Sequence, residues 1–161
     1  MSRKSRGASL PPVTLAVLAA LGLAGCGHLV ILHDPLSAAE HNDLGVSYER
    51  SGKSELAARE YRKALRLDHH LVVARVNLGN LAAASGRWGE AERCYRAALR
   101  DRPDDGDAAN NLALTLLRRG RRLEEAEALA LKAVALGGRD SLYQTTLAEV
   151  RRARGAPTVP R

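Results

Sequence analysis

The sequence predicts an all-α fold: a solenoid of about three helical hairpins closed by a C-terminal capping helix. Three observations carry this. Hydrophobic residues make up 45% of the 161, yet only 3% are aromatic and Phe is absent. The apolar content is therefore mostly Ala and Leu, which favour helices, rather than the β-branched and aromatic residues that favour strands. The chain also repeats itself at a spacing of 34 residues, a length typical of stacked helical hairpins. Finally, Ser37 followed by Glu40 is a capping box, which sets a helix start at about residue 38.

The first repeat, 38–71, carries Leu44, Gly45, Tyr48, Gly52, Ala57, Tyr61, Ala64 and Leu65. Shifted by 34, these positions meet Leu78, Gly79, Ala82, Gly86, Ala91, Tyr95, Ala98 and Leu99 in the second repeat, 72–105. The third, 106–139, has Leu112, Ala113, Leu116 and Gly120, then Ala126, Ala130, Ala133 and Val134 after one extra residue. That residue falls in a turn, where it costs little. Inside a helix it would rotate the apolar face by about 100°. Within each helix the apolar residues recur at i, i+3 and i+4, giving one stripe. Arg102 to Gly106 reads as the turn before the third repeat.

This pattern resembles the tetratricopeptide repeat (TPR) family across residues 38–139. The resemblance implies that Gly45 and Gly79 sit where the two helices of a repeat touch, and that Gly52, Gly86 and Gly120 end the first helix of each. It also implies a concave face lined by those first helices. Family correspondence puts Asn42, Val46, Glu49 and Arg50 there, then Val73, Val76, Asn77, Asn80 and Ala83, then Asn110, Asn111, Leu114, Leu117 and Arg118. Asn42, Val46, Asn77, Asn80, Asn111, Leu114 and Arg118 are the candidate peptide-binding residues. A side-chain amide both donates to and accepts from a peptide backbone, although Asn also bonds locally with ease. Some chaperone-binding TPRs clamp a C-terminal carboxylate with Lys and Asn. Asn77 alone matches that clamp, with Val46, Asp107 and Asn111 at other clamp positions, so carboxylate capture is not expected.

A last helix over 140–154 repeats the pattern of a first helix, with Leu147, Ala148 and Val150 at the equivalent places. Glu149, Arg151, Arg152 and Arg154 make it polar, as the end of a solenoid requires. Residues 155–161 read as a loose tail.

Residues 1–25 read as a secretory signal: Arg3, Lys4 and Arg6 precede an apolar run over 13–24. Twelve residues fall short of the roughly 20 that span a bilayer. Leu23, Ala24, Gly25 and Cys26 then resemble a bacterial lipobox. The resemblance implies that the Cys26 thiol receives a diacylglyceryl group, that the chain is cut before it, and that the new amine is acylated. Gly27, where Asp would retain the protein in the inner membrane, implies the outer membrane facing the periplasm. An uncleaved anchor running on through residues 29–32 is the competing reading, interrupted by Gly25, Gly27 and His28. The tether 26–37 is short, and its apolar run is expected to pack on the first repeat or lie at the bilayer surface.

Composition and motifs exclude several classes. The net charge of +7 falls to +4 once Arg3, Lys4 and Arg6 leave with the signal. With no binding motif and few aromatics for stacking, nucleic acid is not an expected partner. No Gly-x-Ser-x-Gly, His-Glu-x-x-His, P-loop or paired cysteines are present, so no catalytic residue, metal or cofactor is assigned. His28, His33, His69 and His70 lack further ligands. Asp101, Asp104, Asp105 and Asp107 do not fit a calcium loop around Gly106. Cys94, the thiol left after acylation, reads as a small half-buried residue. The Arg runs 118–122 and 151–154 read as helix ends favoured by the dipole, or as contacts for an acidic partner or anionic headgroups.

The expected function is a lipid-anchored protein-interaction scaffold in the periplasm, resembling the small TPR lipoproteins that assist envelope and pilus or secretion complexes. The alternative is a regulatory or targeting subunit of an envelope enzyme, such as a peptidase or polysaccharide-synthesis complex.

Overall fold

The computed structural model describes residues 34–137 and 141–155. The signal segment, Cys26, the tether up to residue 33 and the tail from residue 156 lie outside the described residues, and so do His28 and His33. The described residues form seven helices and no strand. In order they are α1 (Ala38–Arg50), α2 (Ser54–Leu67), α3 (Val72–Ala84), α4 (Trp88–Asp101), α5 (Gly106–Arg118), α6 (Leu123–Gly137) and α7 (Ser141–Gly155).

The hairpins α1–α2, α3–α4 and α5–α6 stack in sequence, and α7 lies against α6 and α5. The entry to α1 is the expected capping box. Ser37 Oγ accepts from the Glu40 amide, and the Glu40 carboxylate accepts from the Ser37 amide at 2.8 Å. Each first helix ends the same way. Gly52, Gly86 and Gly120 take φ of +71°, +70° and +60°, a region only glycine enters cheaply. The paired bonds Gly86 N–H to Ala83 O (2.9 Å) and Arg87 N–H to Ala82 O (2.8 Å) complete a Schellman motif. Equivalent bonds close α1 and α5. The extra residue of the third repeat is absorbed in the turn before α6, where Arg122 alone among described non-glycines has a positive φ, +53°.

Two local expectations shift. Gly106 is the first residue of α5 rather than part of the turn, because Asp105 caps that helix by accepting from the Ala108 amide at 2.8 Å. The last helix runs on to Gly155, which the sequence had assigned to the tail.

Small residues set the distance between the helices of each hairpin. Ala57, Tyr61, Ala64, Ala91, Tyr95 and Ala98 are all buried. The rings of Tyr61 and Tyr95 occupy the space that a side chain at Gly45 and Gly79 would need. In the third repeat both partners change together. Ala113 and Ala130 stand at the positions of the Gly–Tyr pair, and both are fully buried in one core cluster. The core of this end is completed by Leu112, Leu116, Leu147 and Val150. Tyr143 of α7 packs with Ala109 and Ala133 and lies over Gly137.

Candidate peptide-binding groove

The first helices α1, α3 and α5 present a row of amides that connects the repeats. Asn77 Nδ2 of α3 donates to Asn42 Oδ1 of α1 at 3.1 Å. One repeat on, Asn111 Nδ2 of α5 donates to Asn80 Oδ1 of α3 at 3.0 Å. Asn80 Oδ1 also accepts from the Tyr95 hydroxyl at 2.8 Å. That ties the row to the Tyr95 ring in the core.

The predicted residues are not equally accessible. Asn42 is buried, while Val46, Asn77, Asn80, Asn111 and Leu114 are half-buried and Arg118 is exposed. Of the wider lining expected from family correspondence, Val76 and Asn110 are buried instead of facing the groove openly. Asn110 Nδ2 donates to Asn111 Oδ1 at 3.3 Å. Its own Oδ1 is buried and has no partner among the described residues. Glu49 accepts from the Tyr61 hydroxyl at 2.8 Å. Burial, aided for Tyr61 by Glu49, raises both phenols well above their ordinary value, so they remain protonated donors.

At its C-terminal end the face opens into a cavity of about 580 Å³ between Leu117, Arg118, Glu149, Arg152 and Ala153. Arg118 lies 3.9 Å from Glu149. The rest of the Arg run is folded into an ion-pair network that sequence reasoning did not find. Glu92 of α4 is 7% exposed. It meets Arg119 at 2.7 Å, Arg96 at 3.0 Å, Arg122 at 3.7 Å and Arg121 at 3.9 Å. Arg96 also grips Glu125 of α6 through two bonds, at 2.6 and 3.0 Å. This holds the Glu125 carboxyl below its ordinary range. Arg151 and Arg154 of α7 both bind Glu127. The signal was the recurrence of Glu near the start of second helices, but apart from Arg96 on Glu92 the partners lie 24 to 30 residues away.

Asp101, Asp105, Asp107 and His70, around the turn before α5, have protein partners. Asp101 binds Arg75 and lies 3.3 Å from His70. Asp105 caps α5, and Asp107 accepts from the Tyr143 hydroxyl at 2.6 Å. Cys94 is half-buried, and burial pushes its thiol up. No helix among the described residues is long and apolar enough to cross a membrane.

Family models described as tetratricopeptide repeat match residues 41–69 and 76–141. Among curated proteins, the chain is 38% identical over 84 residues to mouse Tetratricopeptide repeat protein 14, covering 52% of this chain. It is 37% identical over 98 residues to the Drosophila melanogaster Protein O-mannosyl-transferase Tmtc1, covering 58% of this chain. Either match takes in only 11% of the relative's length. Solved structures share the fold. The first TPR of Spaghetti (RPAP3) bound to the HSP90 peptide SRMEEVD superposes with a TM-score of 0.71 at 19% identity, covering 78% of this chain and 99% of that one. The second TPR domain of human RPAP3, in complex with the HSP70 peptide SGPTIEEVD, gives 0.66 at 19%, covering 71% and 94%. Residues 41–69 and 76–141 match the tetratricopeptide repeat family, and the described residues form an all-α TPR solenoid.

Proposed function

We propose that this chain is a lipid-anchored interaction scaffold of the bacterial cell envelope, holding an extended segment of an envelope protein in its concave groove and assisting assembly of a larger complex. The observation that carries this is the amide row Asn42–Asn77 and Asn80–Asn111. Each half-buried amide keeps hydrogen-bonding capacity beyond its neighbour contact, and capacity of that kind suits a peptide backbone better than a fixed charge. TPR repeats serve as protein-interaction scaffolds, and the two RPAP3 domains named above are described as bound to peptides.

The peptide would differ from those. Asn77 alone matches the Lys and Asn clamp by which some TPRs hold a C-terminal carboxylate; Val46, Asp107 and Asn111 replace other clamp members, and Asp107 brings a negative charge. A neutral, extended internal segment fits the groove better than an acidic C-terminus. The anchor rests on the pattern ending in Cys26. An acyl chain contributes about 0.8 kcal/mol per buried methylene, and more than one chain holds a protein stably. The Leu23–Cys26 pattern and Gly27 favour the outer membrane, periplasmic face.

Affinity capture from cross-linked membranes, with the full chain as bait, tests the reading. The expected result is an envelope protein retained by the native bait and lost from an Asn77→Ala/Asn111→Ala bait. Equal recovery on both baits would remove the groove from the account.

A further inference from the structure

Most of the arginines in the C-terminal half of the solenoid are matched with carboxylates. Several around α2 and α4 are not, Arg96 being an exception. The side chains of Arg59, Arg62 and Arg93 have no hydrogen bond or ion pair among the described residues, and that of Arg87 meets only Glu90, at 3.4 Å. These four side chains line two adjoining cavities. The larger, about 410 Å³, lies between α2 and the end of α3, with Arg59, Arg62 and Arg87 around a floor of Ala58 and Leu81. The smaller, about 160 Å³, continues past Arg62 and Arg87 to Arg93 over Leu78 and Ala82. Arg62 and Arg87 belong to both. Glu55 and Glu90 are the acidic residues lining them, which leaves an excess of guanidinium. The floor residues Leu78 and Ala82 occupy a different face of α3 from Asn77 and Asn80, while Leu81, one turn on from Asn77, stands at the border between the two faces.

We propose that these joined cavities are a second docking site, for an acidic peptide segment of a protein partner in which carboxylate side chains alternate with small apolar ones. Charge complementarity points to the acid, because a planar guanidinium pairs with a carboxylate through two parallel bonds. The apolar floor between the arginines provides for the intervening side chains. Two pockets with shared arginines suit successive side chains of one strand better than a single anion. A lipid headgroup fits less well. The larger cavity lies at the turn end of the first hairpin, about 20 Å along α1 from Ser37, where the chain enters.

The test is fluorescence anisotropy with the full chain in neutral detergent. The probe is a labelled hexapeptide that alternates glutamate with alanine and leucine. Arg62→Gln/Arg87→Gln should weaken binding about five- to thirtyfold. The Debye length shrinks from about 10 Å to 3 Å between 0.1 and 1 M salt, so binding should also fade over that range. Arg93→Glu, on the exposed face of α4, should give a loss of the same order with an unchanged melting temperature. Asn77→Ala/Asn111→Ala should bind the probe like the native chain, which separates this site from the groove. The proposal is overturned if the arginine variants bind the probe unchanged, or if a glutamine version of the peptide binds equally well. It is also overturned if phosphatidylglycerol vesicles bind through Arg62 and Arg87 while the peptide does not.

Discussion

Tyr95 lies so close over Gly79 that a Cβ built on the glycine would stand 2.7 Å from its Cε1. The ring cannot move aside readily. It is 1% exposed, and its hydroxyl is bonded to Asn80 Oδ1. The spacing of α3 and α4 therefore depends on the absence of a side chain at one position and the presence of a ring at another.

Gly79→Leu should destabilise the protein by about 1–3 kcal/mol or more through overpacking. The milder Gly79→Ala should lose much of its cost in a Tyr95→Ala background, since Ala113 and Ala130 already form that combination in the third repeat. Arg100→Ala, on an exposed face, should stay within about 0.5 kcal/mol. Chemical denaturation decides it, and an unchanged midpoint for Gly79→Leu would contradict the packing.

Glu92→Gln should cost about 1–3 kcal/mol, because the carboxylate accepts charge-assisted bonds in a nearly buried place. The loss should persist in high salt, whereas Glu127→Gln, whose partners are exposed, should have a small effect that salt removes. Acid should act in a defined direction. Arg96 holds the Glu125 carboxyl down, and Arg75 does the same for Asp101. Both therefore bind protons more weakly folded than unfolded. Their stabilisation is complete above the ordinary carboxylate range and is lost as pH falls below it. Melting temperature measured from pH 7 to pH 3 should fall through that window, and Glu125→Gln should flatten the slope.

The repeats were legible because their signals are local. A glycine five or so residues from a helix end, a capping box and a stripe at i, i+3 and i+4 all lie within one hairpin. The loss of both Gly and Tyr in the third repeat was visible too, but not that the two losses compensate. The links between repeats were hidden. Asn77 reaches Asn42 and Asn111 reaches Asn80 only after the hairpins stack, at separations of 35 and 31 residues. For the same reason the Arg run 118–122 read as solvated or partner-facing, while Arg119, Arg121 and Arg122 gather on Glu92.

Cys26→Ser should abolish acylation and leave the precursor uncut by the lipoprotein peptidase. Palmitate labelling of whole cells checks this. Equal incorporation into the variant and the native chain would remove the lipid anchor from the proposed function.

The most direct test of the account is the affinity of the captured partner segment for the Asn77→Ala/Asn111→Ala variant. The half-buried amides make one neighbour contact apiece across the repeats, so the variant should remain folded with a modestly lower denaturation midpoint. Two lost backbone bonds, each worth about 0.5–1.5 kcal/mol, predict a drop in affinity of roughly five- to a hundredfold. Reversing the charge of Arg151 and Arg152 should matter less, and its effect should fade with salt. If the arginine changes abolish binding while the asparagine pair is silent, the partner docks on the C-terminal rim and the groove mechanism is wrong.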